Sequence, residues 1–237
     1  MNAVFPVYRV LNREENLNFY RDVLGMKVLN EENATVDLGG FDAKSRRIIL
    51  EESPESRSVN GAKKHGKTVL IAAADEISQL LVRNLDKVNR VFKTENGFAF
   101  EAISPENDVF LLTESLSNLT EIAKSELEIE EKEFAGLSDF TVAELTIRIS
   151  DEKITKYYNN LFGSLDLLKF ELAEGSDLTA NTVETLDLEA LMIEVSADFD
   201  LAEFSSNLTD FEKPYLDKSE KLLALEIPNH LDFWLVK

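Results

Sequence analysis

A chain of 237 residues in which 44% are hydrophobic and 30% charged has the composition of a folded globular protein, long enough for one large domain or two of ordinary size. Forty-five acidic against 25 basic residues leave a formal charge of −20, which argues against nucleic acid or anionic lipid as a partner, since both need clustered Lys and Arg. The complete absence of cysteine removes thiol proteases, disulfide scaffolds and zinc ribbons together. No apolar run approaches the roughly 20 residues that span a bilayer. The opening "MNAVFPVYRV" has neither a basic start nor a long apolar core, so the cytoplasm is the expected address.

In chain order, Val4–Val10 reads as a strand. Asn12 followed by Glu15 fits a capping box, and Leu17, Tyr20 and Leu24 recur at helical spacing until Gly25 ends the helix. Strands are predicted at 26–30, 34–38 and 46–52, followed by a polar loop from Ser53 to Lys67. The same order then returns: a strand at 68–73, a helix capped by Asp75 and running to Asn84, and strands at 88–93, 97–103 and 109–113. The first half is thus two βαβββ units in tandem.

The stretch around "SELEIEEKEF" breaks this pattern, and its charge suggests a solvated helical linker over 116–137. The plan then resumes, with Tyr158 standing 138 residues after Tyr20 as the matching aromatic. A strand at 142–149, a helix at 151–161 and strands at 165–172 and 182–186 form a third unit. Segments at 188–195, 201–207, 211–216, 222–227 and 231–235 form the fourth. The expected organisation is α+β, with an N-terminal domain over 1–115, the linker, and a smaller C-terminal domain over 138–237.

The motif "NLNFYRDVLGMKV", echoed by "RISDEKITKYYNNLFGSLDLL" and completed by "ISPENDVFLLTE", resembles the vicinal-oxygen-chelate superfamily of glyoxalase-like, dioxygenase and antibiotic-resistance proteins. The whole chain, with its acidic bridge and doubled domain, also resembles the streptococcal CppA family. That family is named for a proteinase activity ascribed to it against the third component of human complement. If that role holds, a host complement protein becomes a partner and the cell surface or medium a location.

The superfamily resemblance implies cups of curved sheet, with a His from the first strand and a Glu from the fourth strand of each unit holding a divalent metal. At those slots the first half carries Phe5, Thr68, Glu51 and Leu111, and the second carries Glu144, Glu184, Ala190 and Trp234. No metal or other cofactor is therefore expected, and a residual lyase or isomerase would have to rely on Glu144 and Glu184. Period-two alternation puts Arg9 on the face of Phe5, and Arg148 on that of Glu144. Each arginine is a candidate anchor for a ligand carboxylate, unless acidic neighbours such as Glu144 occupy it.

His65, in the basic "GAKKHGKTV", is expected to be an exposed loop residue, and His230 to lie in the turn before the last strand. Trp234 belongs to the core or to a cup wall. No H-E-x-x-H, aspartic-protease or G-x-S-x-G motif occurs, so a Ser-His-Asp site would need one of these two histidines. The resulting expectation is a metal-free binding or interaction protein, for a small anionic or apolar ligand or a peptide, with homodimerisation possible. The alternatives are a proteinase acting on complement, or the residual lyase.

Overall fold

The computed structural model describes residues 3–163, 166–209 and 212–237. Unit one comprises β1 (Ala3–Val10), α1 (Arg13–Asn18), β2 (Lys27–Glu32), β3 (Thr35–Gly39) and β4 (Ile48–Glu52). The Asn12 side chain accepts from the Glu15 amide at 3.0 Å to start α1, which continues as a π-helical turn through Phe19–Val23. Gly25 follows at φ 69°, a left-handed conformation that a side chain would resist. Unit two comprises β5 (His65–Ile71), α2 (Ala74–Asn84), β6 (Arg90–Lys93), β7 (Phe98–Ile103) and β8 (Val109–Thr113). After β9 (Thr120–Ile122), unit three has β10 (Thr141–Ile149), α3 (Lys153–Phe162) and β11 (Leu168–Leu172). Unit four has β12 (Leu188–Glu194), α4 (Leu201–Ser206), β13 (Tyr215–Leu216), β14 (Leu222–Glu226) and β15 (Asp232–Val236).

These strands make two curved mixed sheets, an eight-stranded one ordered β13-β14-β15-β12-β1-β4-β3-β2 and a seven-stranded one ordered β11-β10-β5-β8-β7-β6-β9. Within each unit the first strand pairs parallel with the last. The units join antiparallel through their first strands, β1 to β12 and β5 to β10. Each sheet therefore takes one unit from each half of the sequence. A single apolar core collects the inward faces of both sheets (Tyr8, Val10, Leu70, Leu145, Leu191) together with helix residues such as Leu17, Tyr20, Leu80 and Tyr158.

Several expectations are corrected. Residues 116–137 contain no α-helix; beyond β9 and a 3-10 turn at Lys124–Glu126 the chain is extended. Leu127 and Ile129 are half-buried against the core while Glu128 and Glu130 are exposed, an alternation with the period of a strand. Polar anchors to α2 hold this strip, with Gln79 Nε2 donating to the Glu130 carbonyl at 3.0 Å and the Lys132 amide to Gln79 Oε1 at 2.7 Å. The strand predicted to begin at Thr68 begins at His65, and Ala73, not Asp75, is the cap residue of α2. The strand predicted over 182–186 is a 3-10 turn at Thr182–Glu184, so unit three ends at β11. Parts of the strands predicted at 165–172 and 211–216 lie outside the described residues, at Leu165 and Phe211.

Candidate functional site

On β1, Tyr8 and Val10 face the helices, so Phe5, Val7 and Arg9 face the hollow of the eight-stranded sheet. Phe5, Val7, Ile49 and Ala190 make a buried apolar floor there, with Ala3, Met192 and Trp234 half-buried against it. Trp234 is thus a wall of the cup: Met192 lies opposite both Phe5 on β1 and Trp234 on β15. Asp232 shares the Trp234 face two residues earlier, opposite Ala190.

One end of this floor is polar. Arg9 Nη2 donates to Glu189 Oε1 at 2.7 Å and to Glu51 Oε1 at 3.2 Å, and Nη1 donates to Ser53 Oγ at 2.9 Å. Glu189 arrives there through a β-bulge: Val7 pairs with Ala190 and Tyr8 with Leu188, leaving Glu189 as the extra residue. Glu189 Oε2 is buried and receives no donor among the described residues. Burial, offset in part by Arg9 and reinforced by Glu51, pushes the Glu189 carboxyl up to about 8. Near neutral pH Glu189 therefore keeps its proton, beside the guanidinium that Glu51 also shares. Burial, with Glu226 nearby, likewise raises Asp232 to about 6.

The metal slots fit no metal. In this cup they are Phe5, Ala190 and Trp234, with Glu51 the lone oxygen donor and already bound to Arg9. Among the described residues no group of three or more His, Asp or Glu is placed to hold an ion. The slots also combine differently from the expectation, because unit one faces unit four rather than unit two. Arg9 itself is spent on Glu51, Glu189 and Ser53, so it is not free for a ligand carboxylate.

The seven-stranded sheet has its own hollow face, with Val69, Phe92, Ala99 and Leu111 as apolar floor. Glu144 lies opposite Val69 and Thr146 opposite Lys67. Arg148 reaches Glu171 across the sheet at 3.4 Å; Glu144, its expected partner, makes no ion pair among the described residues. The register explains this, since Arg148 lies directly opposite Glu171 on β11. Thr68 faces the core instead of this cup. Glu184 sits on the 3-10 turn, where its carbonyl accepts from the Arg57 amide at 3.0 Å, and so does not join Glu144 on a sheet.

His65 is the largest departure from expectation: its side chain is 0% exposed. Its Nδ1 lies 2.9 Å from Asp108 Oδ1 and its Nε2 2.9 Å from Thr68 Oγ1, while the Tyr8 hydroxyl bonds the same Thr68 oxygen. Lys63 Nζ closes the chain on Asp108 Oδ1 at 2.5 Å. Burial would raise Asp108, but Lys63 and His65 outweigh it and hold the carboxyl below its ordinary value. With Asp108 ionised, a proton belongs on the ring Nδ1 that faces it, while Nε2 faces the Thr68 hydroxyl. The order hydroxyl, imidazole, carboxylate matches that of a hydrolase triad, yet Thr68 and Tyr8 are fully buried between the sheets. His230 does lie in the turn before β15, at φ 56°, and bonds Glu226.

Sequence reasoning missed Glu189, Asp232, Asp108 and Lys63. A signal existed for Glu189, a lone acid between Leu188 and Ala190 in an otherwise apolar run. Lys63 and Asp108 are 45 residues apart in sequence, and Asp232 is set chiefly by its burial.

The family description "CppA N-terminal" matches residues 3–122 and "CppA C-terminal" matches 137–235. A crystal structure of the cppA protein from Streptococcus pneumoniae TIGR4 is similar with a TM-score of 0.79 at 27% identity, covering 99% of this chain and 97% of that one. Glyoxalase I from Zea mays has a TM-score of 0.59 at 14% identity, covering 98% of this chain and 91% of that one, and shows the shared fold. A search of curated proteins found no match.

Proposed function

The chain belongs to the CppA family, and from that premise we propose that it is a metal-independent binding protein that holds a small molecule in the cup of its eight-stranded sheet. The observation carrying this reading is the pairing of an apolar floor with a carboxyl cluster where the fold would place a metal. Concave apolar surface with a few convergent polar groups of shifted pKa is what ligand sites share. The ligand that fits has an apolar body for Phe5, Met192 and Trp234, and an amine or other hydrogen-bond-donating head for Glu51, Glu189 and Asp232. An anionic head is disfavoured, because Arg9 is already neutralised.

Trp234 is the sole tryptophan of the chain and therefore reports on this cup. Aromatic and alkyl amines should shift its fluorescence and raise Tm, whereas matching carboxylates should do neither. Asp232→Asn should weaken the amine response at least several-fold. Equal responses to amines and carboxylates, or none to either, would remove the reading.

The proteinase alternative draws support from the Asp108–His65–Thr68 order, but it requires Thr68 Oγ1 to reach a peptide from a fully buried position. Thr68→Val keeps the side-chain shape and deletes the hydroxyl. Cleavage of purified complement component by the wild type and not by this variant would favour proteolysis over binding alone.

A further inference from the structure

Units one, two and four each continue beyond their last strand. β3 lies antiparallel outside β4, β7 outside β8, and β14 outside β15. β11 pairs parallel with β10, as β4 does with β1, and so occupies the same place in unit three. Nothing follows it: β11 ends the seven-stranded sheet. The position that an antiparallel strand fills in all three sibling units is open here among the described residues.

The open side carries a usable ladder. The Leu145 amide donates to the Leu167 carbonyl, and the Ala173 amide to the Ile149 carbonyl. Counting by twos between them, Lys169 and Glu171 turn their backbone groups toward β10, while Leu168, Phe170 and Leu172 turn theirs outward. The other sheet edges are blunted in the ways natural edges are. β13 has two residues, β9 has three, and β2 is bulged between Val28 and Asn30 and ends in Glu31-Glu32. β11 is a regular five-residue strand with Leu172 55% exposed, beside an open groove of about 570 Å³ lined by Ile149, Leu168, Phe170 and Leu172.

We propose that β11 is a self-association surface, on which a second copy of this chain pairs antiparallel about a two-fold axis at Phe170. The strand reads Leu-Lys-Phe-Glu-Leu, which is charge-complementary to itself when reversed. Centred on Phe170, the pairing sets Lys169 of one copy against Glu171 of the other, twice, and Leu168 against Leu172, twice. The backbone phase agrees with this register. Leu168, Phe170 and Leu172 fall at hydrogen-bonded positions, and Lys169 and Glu171 at the non-hydrogen-bonded ones, where opposing side chains come closest. A two-fold axis makes such a contact self-complementary and closed. Against it stands the −20 charge of each copy, so association strengthens as salt screens the long-range repulsion.

Sedimentation equilibrium on the full chain, across the micromolar range at low and high salt, tests this. The wild type should form a salt-promoted dimer, and amide exchange at Leu168, Phe170 and Leu172 should slow as concentration rises. Both Lys169 and Glu171 are exposed, and the solvent-screened Arg148–Glu171 pair at 3.4 Å contributes little, so their substitution leaves the fold intact, which circular dichroism of each variant checks. Lys169→Glu alone and Glu171→Lys alone each set like charges face to face twice, and each should weaken the dimer by about tenfold or more. The double exchange Lys169→Glu with Glu171→Lys restores opposite pairs and should return the constant to within about threefold of wild type. A chain that stays monomeric throughout overturns the proposal, and so does a dimer indifferent to these charge changes.

Discussion

Arg9 Nη2 lies 2.7 Å from Glu189 Oε1, joining β1 of the first unit to β12 of the fourth across 180 residues of sequence. With Glu51 at 3.2 Å from the same nitrogen, one guanidinium serves two carboxyl groups, and the raised pKa of Glu189 lets it keep a proton beside them. The polar end of the cup floor therefore depends on Arg9.

Arg9→Ala should therefore destabilise the protein by about 3–5 kcal/mol, since it leaves the buried Glu189 and the half-buried Glu51 without their cation. Arg9→Lys should recover only part of that loss, because a single ammonium cannot serve Glu189, Glu51 and Ser53 in the geometry of a fork. Urea unfolding followed by circular dichroism measures both, and a loss below about 1 kcal/mol for the alanine variant contradicts the account.

Glu189 fixes the sign of a pH effect. Its folded-state pKa of about 8 lies above the ordinary value of about 4.3, so its contribution is full below that ordinary value and is lost as pH rises through about 8. Asp232, raised to about 6, acts in the same direction over a lower window. Glu189→Gln cannot ionise, so its Tm should exceed that of the wild type at pH 9, with the gap narrowing toward pH 5. Calorimetry at several pH values would show the opposite ordering if Glu189 were ionised in the fold.

The buried chain Tyr8–Thr68–His65–Asp108–Lys63 ties the two sheets together, because Tyr8 belongs to one and Thr68 to the other. Thr68→Val should cost about 1–3 kcal/mol by stranding Tyr8 and His65 without their common partner. Asp108→Asn should cost about 3 kcal/mol or more by leaving Lys63 unpaired. Asp108 has the opposite linkage to Glu189: its pKa is lowered, so its stabilisation is present above the ordinary carboxylate value and is lost as pH falls through the folded one. Acid titration of wild type against Asp108→Asn should show the difference between them shrinking at the lowest pH.

Added nickel or zinc, or treatment with a chelator, should leave Tm unchanged. A site with Kd one hundredth of the added metal concentration would contribute about 2.7 kcal/mol, a shift of several degrees that differential scanning fluorimetry resolves readily. Such a shift would show that a donor set other than the superfamily slots binds an ion.

Local features were legible in the sequence because their causes are local. The Asn12 cap, the stop at Gly25, the repeated strand–helix units, and the shared face of Phe5 and Arg9 follow from neighbours a few residues apart. The acidic strip is the instructive failure: its leucine–glutamate alternation was visible, but charge content suggested a solvated helix, and only packing beside α2 selects the extended form. Which units share a sheet, that Arg9 meets Glu189, that His65 is enclosed by Asp108 and Thr68, and that β11 has no outer neighbour among the described residues were decided by tertiary structure alone. Alternation names the side of a strand on which a residue stands, but the strand that lies opposite depends on burying the helical faces of four units at once, a condition no short stretch of chain contains.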